Sequence, residues 1–353
     1  MSELRTAFLF PGQGSQFVGM GRDFYDNFSV ARAVFEEADE ALGFSLSRLC
    51  FEGPEEVLRL TENTQPAIFT ASIAALRVLA ERGVRPSFVA GHSLGEYSAN
   101  VAAGSLGFAD AVRTVRSRGQ FMQEAVPAGE GAMAAILGME AEAVLGVCRD
   151  ASAEVGEVVA AANINSPSQV AVSGTVKAVE RAMALAKERG ARKAVLLAVS
   201  APFHCPLMMP AQERLGDLLA GISFADAQVP VVVNVDAVLR SEGDLLRDAL
   251  VRQVTGTVRW VESMHVLLEQ NQNRYTRADS ERLDFSWEKI QSSASPAGYS
   301  ISGSALAEKV DFFLEVGPGK VLSGLLRQID REAKHAHVQD GATLEGALGI
   351  LGG

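Results

Sequence analysis

The stretch Phe88-Val89-Ala90-Gly91-His92-Ser93-Leu94-Gly95-Glu96-Tyr97 decides how this chain is read. A short apolar run with the character of a strand meets Gly91, and residues able to form a helix continue through Ala102. Ser93 therefore stands in a G-x-S-x-G pattern at a tight strand-to-helix turn, the setting in which that pattern has mechanical meaning. Such a turn strains the serine backbone and exposes its Oγ. Glycine is needed at 91 and 95 because a Cβ at either place would crowd the neighbouring strand and helix. The start of the following helix presents free backbone N–H groups, which favour a developing oxyanion. So short a pattern recurs by chance, and a glycine-bounded turn with an ordinary serine is the competing reading. A nucleophile would need the rest of the chain to supply a base, an oxyanion site and a substrate handle.

At 353 residues, 48% of them hydrophobic, the chain can bury a full core and has room for one large domain and a smaller one. No apolar run reaches membrane-spanning length. The start, Met1-Ser2-Glu3-Leu4-Arg5, carries an acid and is not a signal peptide, so a cytoplasmic location is expected. Cys50, Cys148 and Cys205 lie far apart with no C-x-x-C spacing, which argues against disulfides and a zinc site and fits a reducing compartment. The net charge of −11 argues against a nucleic-acid binder but leaves room for a local basic patch.

Thr6–Phe10 reads as a buried strand that breaks at Pro11-Gly12-Gln13-Gly14-Ser15-Gln16. Helical patterns follow at Val30–Leu42 and Pro66–Glu81, then the Phe88–Gly91 strand, the turn at Ser93, and a helix over Phe108–Ala125. Strands alternating with helices predict an α/β core with a mainly parallel sheet. The pattern changes near Pro127-Ala128-Gly129. Strands at Ala132–Leu137, Val158–Ala162, Gln169–Ser173 and Lys193–Val199, with helices at Glu140–Ala153 and Val176–Glu188, give the order βαββαβ. This is the ferredoxin-like split βαβ unit, with Asn163–Ser168 as the turn between its middle strands. It predicts a small domain over 128–199 inserted into a large one made of 1–127 and 200–353. A helix at Pro206–Ala220, a strand at Val231–Val235, helices at Leu245–Val254 and Val261–Glu269, a strand at Phe312–Val316 and a helix from Val321 complete the large domain. Residues 270–308 are polar and serine-rich, and read as a surface insert.

Among the five histidines, His92 is adjacent to Ser93 and points away in an extended turn, which makes it a poor base. His265 falls in a helix, and His335 and His337 in a polar tail, where they read as solvated or structural. His204 lies in Ser200-Ala201-Pro202-Phe203-His204-Cys205-Pro206, between prolines that stiffen the loop. It is either a base or a satisfied polar group. Gly12-Gln13-Gly14 lets backbone amides approach a reacting atom. A dinucleotide fingerprint is excluded by Phe17, and a P-loop by Leu314 and Val321. An arginine would serve a substrate carboxylate. Arg118 is one of several helix arginines, and spacing alone favours a solvated face for any one of them.

Taken together, these motifs resemble one family. The stretches are Phe10-Pro11-Gly12-Gln13-Gly14-Ser15-Gln16, Thr64-Gln65-Pro66-Ala67, Gly91-His92-Ser93-Leu94-Gly95-Glu96, Arg118-Gly119 ahead of Met122-Gln123, and Asn163-Ile164-Asn165-Ser166-Pro167. Pro202-Phe203-His204, Asn234-Val235-Asp236-Ala237, Gln253 with Val258-Arg259-Trp260, and Glu315-Val316-Gly317-Pro318-Gly319-Lys320 follow. Their order and their span of almost the whole chain resemble the malonyl-CoA:acyl carrier protein transacylases of fatty acid synthesis, relatives of polyketide synthase acyltransferase domains.

The resemblance implies a malonyl transfer through a malonyl-serine intermediate. It makes Ser93 the nucleophile, His204 its base, and the Gln13 and Leu94 amides the oxyanion hole. Arg118 would pair with the malonyl carboxylate. Gln253 would orient His204 through its carbonyl and lie by the substrate, and Asn234 would support the histidine. Phe203 resembles the pattern selective for malonyl over methylmalonyl. No metal or redox cofactor is implied. The partners would be malonyl-CoA and an acidic acyl carrier protein, docking on basic residues such as Lys187, Arg189, Arg192, Lys193, Lys320 and Arg327. No nucleic acid or membrane is involved, and a monomer is expected. A polyketide pathway or a serine thioesterase are the alternative functions. The segment 270–308 departs from the family, which has a much shorter link there.

Overall fold

Every residue of Thr6–Phe10 (β1) is buried, as a central parallel strand covered on both faces requires. The computed structural model describes residues 4–127, 129–199, 201–268 and 310–351. The segment 270–308 and Ser200, the expected point of return to the large domain, lie outside the described residues. Helices α1 (Arg22–Asn27), α2 (Ser29–Leu42), α3 (Leu46–Glu52), α4 (Glu55–Leu58) and α5 (Thr61–Glu81) follow β1. Next come β2 (Phe88–Gly91), α6 (Gly95–Ala102) and α7 (Phe108–Glu124).

The middle of the chain forms β3 (Gly131–Leu137), α8 (Ala141–Val155), β4 (Val159–Ser166), β5 (Gln169–Thr175), α9 (Val176–Glu188) and β6 (Lys193–Leu196). After it come α10 (Met209–Ala220), β7 (Val231–Val233), β8 (Val238–Arg240), α11 (Gly243–Arg252) and α12 (Trp260–Leu268). The last elements are β9 (Phe312–Val316), α13 (Val321–Ile329), β10 (His335–Val338) and α14 (Gly341–Leu351).

The larger sheet has the order β10-β9-β1-β2-β7-β8 and is parallel except for the β7–β8 pair. The smaller, four-stranded sheet is antiparallel in the order β4-β5-β3-β6, with α8 and α9 packed together and against it. The chain is thus an α/β protein with a ferredoxin-like βαββαβ unit inserted into a mainly parallel core, as its sequence predicts. The pairing of Phe10 with Gly91 brings the loop after β1 beside the turn after β2. Both loops leave the carboxyl ends of adjacent parallel strands, where open α/β sheets place their ligand crevices.

Some local expectations fail. The helix expected from Pro66 starts at Thr61 and carries Pro66 inside it. Tertiary packing overrides the proline: α7 lies so close that a Cβ on Gly119 would sit 2.7 Å from the Glu62 Cα. The Asn163–Ser168 turn shrinks, because β4 continues through Ser166 and pairs it with Gln169. The isolated bridge from Asn163 to Val258 supports this extension from outside the small sheet. His335 and His337 are in no polar tail: they lie half-buried on β10, paired in register with Phe313 and Glu315 of β9. Among the described residues no helix is long and apolar enough to cross a membrane.

Candidate active site

The turn after β2 puts Ser93 at φ 51°, a left-handed conformation that a non-glycine residue adopts only under constraint. Glycine is obligatory on both sides of it. A Cβ at Gly91 would overlap the Gly95 carbonyl group, and one at Gly95 would overlap the Phe10 carbonyl oxygen. Side chains distant in sequence hold the strained residue. Asn234, just after β7, accepts from the Ser93 N–H at 2.7 Å and donates to the Gly91 carbonyl at 2.7 Å. Gln253, just after α11, donates to the Ser93 carbonyl at 3.0 Å.

His204 meets the Ser93 side chain from the loop after the small sheet. It also has positive φ, 58°, and is buried. Its Nδ1 lies 2.8 Å from the Gln253 backbone carbonyl, which can only accept, so the proton resides on Nδ1. The lone pair on Nε2 then faces the Ser93 Oγ at 2.7 Å, and the hydroxyl donates to it. Burial first, and then the nearby Arg118 charge, push the imidazole pKa down to about 3. His204 is therefore neutral, in its proton-accepting form, throughout the physiological range.

Arg118 does not lie on a solvated face of α7; it is only 2% exposed. Close packing of α7 on the start of α5 at Gly119 turns this side of the helix inward. Arg118 Nη1 donates to Gln65 Oε1 at 2.9 Å, while Nη2 donates to Gln253 Oε1 at 3.0 Å and to Ser93 Oγ at 3.1 Å. Burial lowers its pKa, but a guanidinium remains charged even so. A cation reaching the serine oxygen, held by two neutral amide carbonyls, can attract an anionic group on the serine.

A cavity of about 180 Å³ opens over these atoms. Gln13 and Leu94 line it together with Ser93, Arg118, Phe203 and His204, while Met133, Asn163, Asn165 and Ala171 of the smaller sheet close the other side. Among the described residues the backbone N–H groups of Gln13 and Leu94 have no hydrogen-bond partner, so both can serve an incoming oxygen. His92 also lines the cavity, but its Nε2 lies 2.8 Å from Asn165 Oδ1 and its ring packs against Trp260.

Two expectations change. Gln253 lies fully buried behind Arg118 and not on the cavity wall, so its side chain meets substrate only through the guanidinium. Asn234 supports the serine backbone and not the imidazole. Of the basic candidates, Arg189 is ion-paired with Asp150, whereas Lys187, Arg192, Lys193, Lys320 and Arg327 are exposed. Glu96, Gln65 and Asn165 have site contacts that sequence reasoning did not assign. All three stand inside stretches singled out for the resemblance, which was the available signal. No group of metal-ligating side chains occurs among the described residues.

The sequence and the architecture match known proteins over nearly their full length. Residues 7–274 match the family described as "Acyl transferase domain". The malonyl CoA-acyl carrier protein transacylase of Bacillus subtilis (strain 168) is 48% identical over 347 residues, 98% of this chain and 97% of that protein. The chain belongs to this transacylase family. The Escherichia coli (strain K12) transacylase is 44% identical over 92% of both chains. Among solved structures, the family member from Coxiella burnetii superposes with a TM-score of 0.84 at 38% identity, covering 99% of this chain and 98% of that one. A malonyl-transacylase solved in complex with a type II polyketide acyl carrier protein gives a TM-score of 0.84 at 41% identity, covering 98% and 99% of the two chains.

Proposed function

We propose that this chain moves a malonyl group from malonyl-CoA to the phosphopantetheine thiol of an acyl carrier protein, through a malonyl ester on Ser93. The Ser93 Oγ–H passes its proton to His204 Nε2 as Oγ attacks the thioester carbonyl. The Nδ1–H bond to the Gln253 carbonyl stabilises the resulting imidazolium. The carbonyl oxygen becomes an oxyanion between the Gln13 and Leu94 amides, an interaction whose loss costs about 3–4 kcal/mol in other enzymes. Collapse breaks the carbon–sulfur bond, and CoA leaves as a thiol with the His204 proton. The carrier-protein thiol then attacks the ester by the same steps in reverse order, with His204 taking its proton. No step requires a metal or a redox group.

The observation that carries the reading is the buried Arg118 within 3.1 Å of Ser93 Oγ. A malonyl ester there would place its free carboxylate against the guanidinium. An acyl group with no carboxylate would leave that cation without its charged partner. Phe203, on the cavity wall beside His204, supports a preference for malonyl over a branched extender. All these groups come from one copy of the chain, which supports a monomer as the working unit. The layout also supports dividing the chain into a large domain, 1–127 with 200–353, and a small one, 128–199, with the site between them. The motifs from Phe10 to Lys320, which resemble the transacylases of fatty acid synthesis, support that pathway.

The test is transfer from a panel of CoA thioesters. Arg118→Ala is expected to lower malonyl transfer about 10- to 100-fold relative to acetyl transfer, the range for a lost charged hydrogen bond. Equal loss for both acyl groups would sink the carboxylate role. Malonate released as fast without carrier protein as with it would make the chain a hydrolase instead.

A further inference from the structure

Glu96 is a buried carboxylate that the mechanism above does not use. It is 0% exposed in the first turn of α6, three residues after the serine. Its Oε2 accepts from the Asn234 N–H at 2.9 Å and from Gln253 Nε2 at 2.8 Å, while Oε1 has no hydrogen-bond partner among the described residues. A carboxylate only accepts, so the Gln253 amide must turn its NH2 toward Glu96 and its carbonyl toward Arg118. Arg118 donates to Gln65 Oε1, Ser93 Oγ and Gln253 Oε1, all neutral oxygens. Glu96, one amide away, is the anion that faces this cation. The two are paired across Gln253, and all three residues are buried, where charges interact more strongly than in bulk water.

The neighbours of Glu96 narrow the assignment further. Arg118 faces it from α7, and Asp236 from the turn after β7. Asp236 is already paired with Arg252, through two hydrogen bonds of 2.8 and 2.7 Å. Tyr97 adjoins it on its own helix. The other strands packed on α6, namely β1, β2 and β7, carry no titratable side chain, and the charged residues of α5 point outward or are half-buried at its start.

We propose that Glu96 is the counter-anion of Arg118 in the empty site, and that it takes up a proton from solvent when an acyl group bearing its own carboxylate occupies that guanidinium. This rests on the reading of Arg118 as the malonyl seat. The physical reason is that one buried guanidinium cannot neutralise two buried carboxylates. Burial already raises the Glu96 carboxyl to about 7, against the hydrogen bonds from Asn234 and Gln253 and the attraction of Arg118. A second anion can only raise it further. Glu96 is thereby a specificity-determining residue: neutral, it leaves the full Arg118 charge to malonyl, and ionised, it competes.

The sign follows from linkage. Malonyl loading favours protonated Glu96, so selectivity for malonyl must fall as pH rises. Acetyl transfer, which adds no charge, is the internal reference, and His204 stays neutral across the range and cancels in the ratio. With the full chain and carrier protein, the malonyl-to-acetyl ratio of kcat/KM is expected to fall about five- to tenfold between about pH 6 and about pH 8.5, for a one-unit rise on malonylation. In Glu96→Gln, which keeps the acceptor oxygen and removes the charge, the ratio should change less than about twofold over that interval. A wild-type ratio that ignores pH, or a Glu96→Gln ratio that follows the wild-type curve, overturns the proposal. If the substituted protein does not fold, the wild type still decides. In weak buffer near neutrality, an indicator dye should report proton uptake on mixing with malonyl-CoA and none with acetyl-CoA. Uptake equal for both overturns the proposal. Arg118→Ala separates the two readings: if it leaves the malonyl-to-acetyl ratio unchanged at every pH, the seat itself is wrong, and not only its counter-anion.

Discussion

Ser93 and His204 both carry positive φ, 51° and 58°, but their supports are built differently. The serine turn is wedged between backbones. Its glycines touch the Phe10 carbonyl and the start of α6, and distant Asn234 and Gln253 side chains tie down its amide and carbonyl. The His204 loop meets the small sheet through a proline. The Pro202 ring covers Gly131 at the start of β3, and the Gln253 backbone carbonyl holds the imidazole. At their closest approaches the serine turn is thus confined by backbone, and the His204 loop by a proline ring. Gln253 joins the two supports, with its backbone oxygen on His204 and its side chain on the Ser93 carbonyl and Arg118.

The largest expected effect removes the contrast altogether. Ser93→Ala should lower transfer about 10⁵- to 10⁶-fold and abolish the malonyl adduct by mass spectrometry, as loss of a nucleophile does elsewhere. A matched pair of glycine substitutions then tests the comparison directly. Gly95→Ala drives a methyl group into the Phe10 and Pro11 carbonyls and should leave either insoluble chain or a loss above about 10³-fold. Gly131→Ala meets only a proline ring and should lower kcat/KM by about tenfold or less. Equal losses for the two would refute the idea that the supports differ in stiffness.

Asn234→Ala should slow malonyl and acetyl transfer alike, by about 10- to 100-fold, because it leaves the buried Ser93 amide and Gly91 carbonyl unpartnered. A change in the malonyl-to-acetyl ratio would show that Asn234 reaches the Arg118 seat as well. The smallest effect is a shift along the pH axis. Arg118 repels a proton from His204, so Arg118→Ala should move the acid limb of Ser93 labelling by a fluorophosphonate to higher pH. A limb that stays in place would mean that burial alone holds the imidazole neutral.

Much of this was legible from sequence where the cause is local. The strands Thr6–Phe10, Phe88–Gly91 and Phe312–Val316 and the helix Val176–Glu188 occur at the bounds that their patterns predict. Apolar runs, caps and breakers act over a few residues. The β10 sequence, His335-Ala336-His337-Val338, carries no strand pattern, and pairing with β9 makes it a strand. The pattern places the start of α5 at Pro66, whereas its contact with α7 sets it at Thr61.

The sequence by itself determined the α/β alternation, the inserted βαββαβ unit and the serine turn, since glycine spacing and hydrophobic periodicity are properties of neighbouring residues. Only the tertiary structure decided that Arg118 points inward at Ser93 and that Asn234 grips the serine and not the histidine. It also decided that Glu96 stands behind the site as a buried acid. Burial and hydrogen bonding join residues far apart in the chain, Glu96 and Gln253 being 157 positions apart, and no local pattern records them.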